Sequence, residues 1–224
     1  MSLLSEPEYF ADGQVLEENY VYGSFLQSKM YARGVTCRDC HDSHSLELHR
    51  EGNELCLQCH QGEVYDTRDH HFHKKVHEGR PSDGALCVKC HMVEQPYMVI
   101  DQRADHSFRV PRPDLSREIG VPNACNRCHF DKTDQWSDEY ITRWYGPGRR
   151  AHYGDIIDAG RRHLPDARLD LIRLAGDPLY PVIVRATALS LLGSYPASET
   201  AAAFEQVLLD DEALIRRMAV GQLN

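Results

Sequence analysis

Every cysteine in the sequence belongs to a pair separated by two residues, and a histidine directly follows each pair. A C-x-x-C-H run is typical of covalent c-type haem attachment. The two thiols lie about one helical turn apart and form thioethers along one porphyrin edge, while the histidine binds the iron. The sequence therefore predicts four haem c groups, attached at Cys37 and Cys40, Cys56 and Cys59, Cys87 and Cys90, and Cys125 and Cys128, with His41, His60, His91 and His129 as proximal ligands.

Zinc and disulfide chemistry are the alternatives for eight cysteines. C-x-x-C pairs also build zinc ribbons and knuckles, but those sites do not require a histidine directly after the second cysteine. A disulfide framework fits the cysteine count, yet four like-spaced pairs with an attached histidine would be an unusual form of one. The repetition of the same five-residue pattern favours haem over both.

The segment that carries the four motifs, residues 37–129, contains little aliphatic sequence. The stretches between motifs are mostly polar, as in Glu51-Gly52-Asn53-Glu54. Such a segment cannot bury enough side-chain surface to offset the entropy of folding. We expect the porphyrins to supply the core, and the haem-free chain to be disordered over residues 37–129.

Each low-spin haem needs a second axial ligand, and nine further histidines are available. His44 follows the first motif by three residues, so it points away from its own haem and could bind a neighbouring one. His106 lies between the third and fourth motifs, and a histidine-rich run at residues 70–77 precedes the third. The sequence predicts distal ligands at His44, His106, His73 and His77. His152 and His163 are expected to be ordinary surface side chains.

The sixth ligand of the first haem has a further candidate in Met30, seven residues before Cys37. A methionine ligand would raise the reduction potential relative to histidine. The alternative is that Met30 packs in a small aromatic cluster with Phe25 and Tyr31.

Residues 20–146 resemble multihaem c-type cytochromes of the tetrahaem, doubled C-x-x-C-H type. The resembling stretches are Tyr22–Met30, Cys90-His91-Met92, Asp105–Ser116 and Pro122–Cys125. The resemblance implies electron transfer along closely stacked haems with mostly bis-histidine ligation. It supports His44, His106 and one histidine of the 70–77 run as distal ligands. Many such cytochromes carry a histidine where Met30 stands.

The C-terminal part of the chain predicts helices. One helical face carries Trp136, Tyr140, Ile141 and Trp144. We expect this face to pack the motif-bearing segment against the C-terminal part of the chain. Further on, residues 181–189 align with residues 212–220 at a spacing that resembles HEAT-type helical pairs. Such repeats serve as docking surfaces or as a structural prop. The arginines around residues 143–168 could pair with haem propionates, bind an acidic partner, or form a solvated face.

Together these patterns predict a mainly α fold with much irregular structure. A tetrahaem cytochrome c domain organised around stacked haems would span residues 1–148, and a possibly truncated HEAT-like segment residues 149–224. The chain carries a formal charge of −9, which argues against a nucleic-acid partner. No apolar run is long enough to cross a membrane.

Haem is attached to C-x-x-C-H motifs outside the cytoplasm, so we expect an exported protein, periplasmic or at the cell surface. Residues 1–8 show no signal segment, which points to a trimmed chain. The function that follows is electron transfer in an exported, anaerobic respiratory pathway, between redox protein partners and without catalysis. The alternative is a multihaem oxidoreductase whose open haem, the first in particular, converts a small nitrogen or sulfur compound.

Overall fold

The computed structural model describes residues 3–97 and 99–223. The fold is mainly helical, with two short antiparallel hairpins and long irregular connections. Its N-terminal and motif-bearing part contains seven short helices within these residues: α1 Val21–Phe25, α2 Lys29–Ala32, α3 Gly62–Tyr65, α4 Arg68–His71, α5 Cys87–His91, α6 Pro113–Ile119 and α7 Ala124–Cys128. Single or double 3-10 turns cover Cys37–Asp39, Gly52–Gln58 and Asp83–Ala85.

The two hairpins lie on either side of the third motif. The first pairs β1 (Val76–His77) with β2 (Arg80–Pro81). The second pairs β3 (Glu94–Tyr97) with β4 (Asp101–Ala104), with Glu94 opposite Ala104. The second hairpin brings the chain back beside the third motif, because Asp105 N donates to the Val93 carbonyl at 3.1 Å.

The C-terminal part consists of longer amphipathic helices. Their bounds are α8 Asp134–Tyr145, α9 Tyr153–Arg161, α10 Ala167–Gly176, α11 Val182–Leu192, α12 Ala197–Gln206 and α13 Ala213–Gln222. Helix α11 is the central element, packing against α9, α10 and α13. Ile157, Leu171, Leu189 and Ile215 are completely buried between these helices. Burial of each such side chain contributes about 1.5–3 kcal/mol, so these helices are held by a conventional apolar core.

Part of the N-terminal lead, from Leu4 to Val15, belongs to the same core. Leu4, Tyr9 and Val15 are buried in one cluster with the side chains of α9 to α13. Leu4 N donates to Thr187 Oγ1 on α11 at 2.9 Å, and Arg161 donates to the Leu4 carbonyl at 2.9 Å. The N-terminal lead therefore packs on the C-terminal helices, although the four motifs separate them in the sequence.

Buried apolar side chains are scarce between the first and last motifs. Among residues 37–97 and 99–129, the buried hydrophobic side chains are Ala85, Tyr97, Leu115 and Val121. This agrees with the low aliphatic content of the segment, which cannot build a conventional core.

Several arginines in the stretch after α8 form ion pairs with carboxylates of the same chain. Arg149 pairs with Asp114 of α6 at 2.7 Å and with Asp138 of α8 at 2.8 Å. Arg168 of α10 pairs with Glu199 of α12 at 2.8 Å. The ion pairs of Arg149 join α6 to α8 and so fix the C-terminal helices beside the fourth motif.

The sequence predicts a surface position for His152, but in the structure this side chain is half-buried at the start of α9. Its Nδ1 accepts a hydrogen bond from Gly154 N at 3.0 Å, so it acts as the N-cap of the helix. Burial, together with the nearby Arg109 and Arg112, lowers the pKa of His152 to about 3. The residue is a neutral structural cap.

Candidate haem-binding site

The four motifs share one local conformation. In the first, second and fourth motifs, the histidine N donates to the carbonyl of the first cysteine, at 2.9–3.0 Å. The third motif coincides with α5. Each motif is thus one helical turn, which places its two thiols on the same side. All eight thiols are unpaired. Within the described residues, no group of three or more His, Cys, Asp or Glu side chains is arranged to hold a metal ion.

The second and third motifs are joined directly through Asn53. Its Nδ2 donates to the Ala85 carbonyl and its Oδ1 accepts from Cys87 N, both at 2.9 Å. The Cys56 and Cys87 thiols hydrogen-bond to each other, which lowers the pKa of Cys87 to about 7 and raises that of Cys56. The attachment points of these two motifs are therefore in contact.

Three of the four motif histidines face a second imidazole ring. The ring centroids of His41 and His106 lie 6.3 Å apart with 26° between their planes. His91 faces His70 at 6.2 Å and 14°. His129 faces His73 at 6.2 Å and 34°. Direct ring stacking would bring the centroids closer, so each pair encloses a gap.

The gap in each pair has the width that one coordinated iron requires. Two metal–nitrogen bonds of about 2 Å, with a ring radius of ~1.1 Å on each side, span about 6 Å. The residues present fit haem iron held between two imidazoles, with the cysteines of the motif beside it.

Backbone carbonyls orient several of these rings. The Nδ1 atoms of His41 and His106 lie 2.8 Å from the carbonyl oxygens of Leu46 and Ala104. The Nδ1 of His91 lies 2.6 Å from the carbonyl of Arg109. A carbonyl can only accept, so Nδ1 carries the proton and Nε2 keeps its lone pair. This is the tautomer that binds a metal through Nε2, and the hydrogen bond raises the basicity of the ligand.

His70 and His73 reach two different motifs because the chain turns sharply between them. Helix α4 ends at His71, and the next residue, Phe72, adopts a left-handed conformation with φ of 58°. The His73 Nδ1 then lies against the carbonyl of His71. One short turn thus supplies the ring facing His91 and the ring facing His129.

The structure separates the distal candidates into two groups. His106 and His73 face proximal histidines, as does His70, which the sequence indicated only as a member of the 70–77 run. His44 lies in the exposed turn after the first motif, where its N donates to Asp42 Oδ1 at 3.0 Å. His77 lies exposed on β1, with Nε2 3.9 Å from Glu78.

Met30, the other candidate for the first haem, lies on α2 and is half-buried. The ring opposite His41 is that of His106. Phe25 contacts both Tyr31 and Phe108, at 5.7 and 6.3 Å, and Phe108 contacts His106 at 6.1 Å. An aromatic cluster therefore adjoins the first motif.

His60 differs from the other proximal histidines. In the part of the chain that the structure describes, no imidazole faces it at a comparable distance. Its ring contact is Tyr65, which lies edge-on at 5.5 Å and also contacts His70 at 5.3 Å.

The aromatic face of α8 lies along the fourth motif. Trp136 is 5.0 Å from the ring of His129, and Trp144 is 6.4 Å from His73. Tyr140 connects the two indoles, and Phe72 stacks on Trp144 at 4.4 Å. The sequence predicts that this face packs the motif-bearing segment against the C-terminal part of the chain. Its contact with both His73 and His129 depends on the tertiary fold.

One comparison with known proteins concerns the first two motifs. Residues 29–64 match the family model described as the doubled CXXCH motif. This match supports covalently bound c-type haem in a multihaem arrangement. No curated protein sequence matches this chain.

Among solved structures, the crystal structure of outer cell wall cytochrome OcwA is similar at 24% identity, with a TM-score of 0.36. The alignment covers 84% of this chain and 38% of that one, so this chain spans well under half the length of that protein.

Proposed function

We propose that this chain is an electron-transfer protein carrying four covalently attached haem c groups. The observation that carries the proposal is the set of three facing imidazole pairs, each formed by one motif histidine and one histidine from elsewhere in the chain. Iron held by two histidines has no position left for a substrate, and its chemistry is reversible one-electron exchange between the ferric and ferrous states.

The ligand assignment follows from these pairs. The haem of the first motif takes His41 and His106, that of the third takes His91 and His70, and that of the fourth takes His129 and His73. In this assignment His77 and Met30 bind no iron. His70, rather than His77, is the second ligand that the histidine-rich run provides.

For the second haem we propose His60 and His44. The first and second motifs are neighbours, because the Cys40 thiol is close enough to Cys59 for their charges to interact. His44 follows Cys40 by four residues, and its ring has no ring contact among the described residues. A short exposed turn lets this side chain swing toward the neighbouring haem.

The order of the haems in this proposal follows the order of the motifs. Cys40 lies near Cys59, the Cys56 thiol contacts Cys87, and Cys90 lies near Cys125. Each attachment segment is therefore next to the one that follows it in the sequence. This supports a row of four haems along which electrons pass from one end to the other.

The organisation around this row is part of the proposal. We assign residues 1–148 to the tetrahaem domain, whose N-terminal lead packs on the C-terminal helices, and residues 149–224 to a HEAT-like helical segment available to a protein partner. The protein is exported, since c-type haem is attached outside the cytoplasm, and it exchanges electrons with other redox proteins in a respiratory pathway. No helix within residues 3–97 and 99–223 has the length and apolar character needed to cross a bilayer.

A second candidate function follows from His60. If His44 does not bind the second haem, that iron has an open position and the protein is an oxidoreductase for a small nitrogen or sulfur compound. The observation that favours it is the absence of an imidazole facing His60 among the described residues. The alternative drawn from the sequence concerned the first haem in particular. Because His106 lies opposite His41, we assign the open position in this second candidate function to the second haem.

The two functions differ in the ferric EPR spectrum and in carbon monoxide binding. The electron carrier requires four low-spin ferric haems and no carbon monoxide adduct after reduction. A high-spin signal from one haem in four, with one equivalent of carbon monoxide bound, would instead favour the oxidoreductase, because it would show an open position on one iron.

A further inference from the structure

The segment from Asp105 to Arg109 serves two haem sites at once. It carries His106, which faces His41, and it ends at Arg109, whose carbonyl lies 2.6 Å from the Nδ1 of His91. Arg109 N also donates to the His91 carbonyl at 2.9 Å. The backbone of Arg109 is thus clamped to the proximal histidine of the third motif from both sides.

The side chain of Arg109 is anchored at a distance from the motifs. Its Nη1 donates to the Asp12 carbonyl at 2.6 Å, and its Nη2 donates to Gln27 Oε1 at 2.7 Å. Its Nε lies 3.6 Å from the carboxylate of the buried Asp105. Tyr153, at the start of α9, donates its hydroxyl to the same Asp12 carbonyl at 2.7 Å. The guanidinium therefore joins the N-terminal lead, the α1 region and the C-terminal helices.

Little free space surrounds this anchor. A Cβ atom built on Gly13 would collide with Gln27 Oε1 and would lie 2.8 Å from both Arg109 Nη2 and the Tyr153 hydroxyl. Gly13 also has a positive φ of 84°, which only glycine adopts without strain. The backbone at Gly13 and the guanidinium fit together closely, so the position of Arg109 is set by the packed part of the fold.

We propose that Arg109 is a positioning residue that holds its own carbonyl against His91 and thereby lowers the reduction potential of the third haem; this inference rests on the proposed function. A hydrogen bond from Nδ1–H to a carbonyl raises the basicity of the imidazole, and a more basic ligand stabilises ferric iron. Loss of a supporting group of this kind typically changes the metal affinity or the activity of a metal site by about tenfold or more. Tenfold in the one-electron equilibrium corresponds to ~59 mV.

The test is a redox titration of the holoprotein and its variants, followed by optical and EPR spectra. In Arg109→Met, we expect one of the four reduction potentials to rise by ~59 mV, which corresponds to a tenfold change in the one-electron equilibrium constant. Gln27→Leu removes the Nη2 acceptor and should shift the same potential upward by less. Arg103→Met is the matched control, since Arg103 is paired with Asp101 on β4 and does not contact the anchor.

A purely structural role would change the haem content or the stability without a selective change of one potential. Four unchanged potentials in fully loaded Arg109→Met would overturn the inference. If that variant does not fold, Arg109→Lys, which keeps the charge but loses the planar fork, takes its place with Gln27→Leu. Unchanged potentials in both would likewise overturn it. A wild-type protein without four haems would contradict the proposed function instead, and is recognised separately by the haem count.

Discussion

The imidazole rings of His41 and His106 face each other at 6.3 Å, although the second and third motifs lie between them in the sequence. His41 is held from the side of the first motif by the Leu46 carbonyl, and His106 is held by Ala104 at the end of β4. In the proposed ligand assignment, the β3–β4 hairpin therefore closes the first haem site opposite the first motif.

Removing His106 should open the first haem. In His106→Ala, we expect one haem in four to become high-spin in the ferric EPR spectrum and to bind one equivalent of carbon monoxide when reduced. The other three haems should keep their low-spin signals, because their ligands come from other segments. His163→Ala is the control, since His163 is exposed and lies beyond the motifs. An unchanged low-spin spectrum in His106→Ala would show that another residue binds this iron.

The second haem is tested by a pair of exposed histidines. His44→Ala should produce one high-spin haem, whereas His77→Ala should leave all four low-spin. The two side chains resemble each other in exposure but differ in their distance along the chain from the first motif. If His77→Ala opens a haem and His44→Ala does not, the assignment of the second haem is wrong. If the wild type already contains one high-spin haem, the oxidoreductase becomes the better account.

His152 predicts a specific loss of stability in acid. Burial lowers its pKa from 6.5 to about 3, so between these values the unfolded chain binds a proton that the folded chain does not. Its contribution to the free energy of unfolding is therefore complete above pH 6.5 and declines as the pH falls toward 3. His152→Asn keeps a good N-cap and removes the titrating ring. Thermal unfolding should depend less on pH in this variant than in the wild type, and equal slopes would contradict the assignment.

A substitution in the core of the C-terminal helices should lower the stability of these helices without changing the haem ligation. Leu189 on α11 is completely buried, and Leu189→Ala should cost about 2–5 kcal/mol in the free energy of unfolding. Far-UV circular dichroism should show earlier melting of the helices, while the haem spectra at 25 °C stay unchanged. Leu179→Ala is the control, because Leu179 is 91% exposed. A loss of low-spin signal in Leu189→Ala at low temperature would show that the helices hold the iron ligands in place.

The sequence was informative where a function depends on neighbouring residues. The proximal histidines and their cysteines lie within five residues, so their pattern alone indicates the site. In the proposed assignment the distal histidines come from distant segments, and the preference for His70 over His77 depends on the left-handed turn at Phe72 and on the packing of α8. Neither the turn nor this packing can be read from the spacing of residues within one short segment. The same holds for Arg109, whose partners Asp12 and Tyr153 are brought together only by the packing of the N-terminal lead on α9.

The most direct test of the account is the number of haems covalently bound to the chain, measured as the intact mass of the denatured protein. We expect the protein produced with c-type haem maturation to carry four haem additions, and each pair of motif cysteines changed to alanine to remove one. A chain that carries none, or that binds zinc in place of haem, would contradict the central claim.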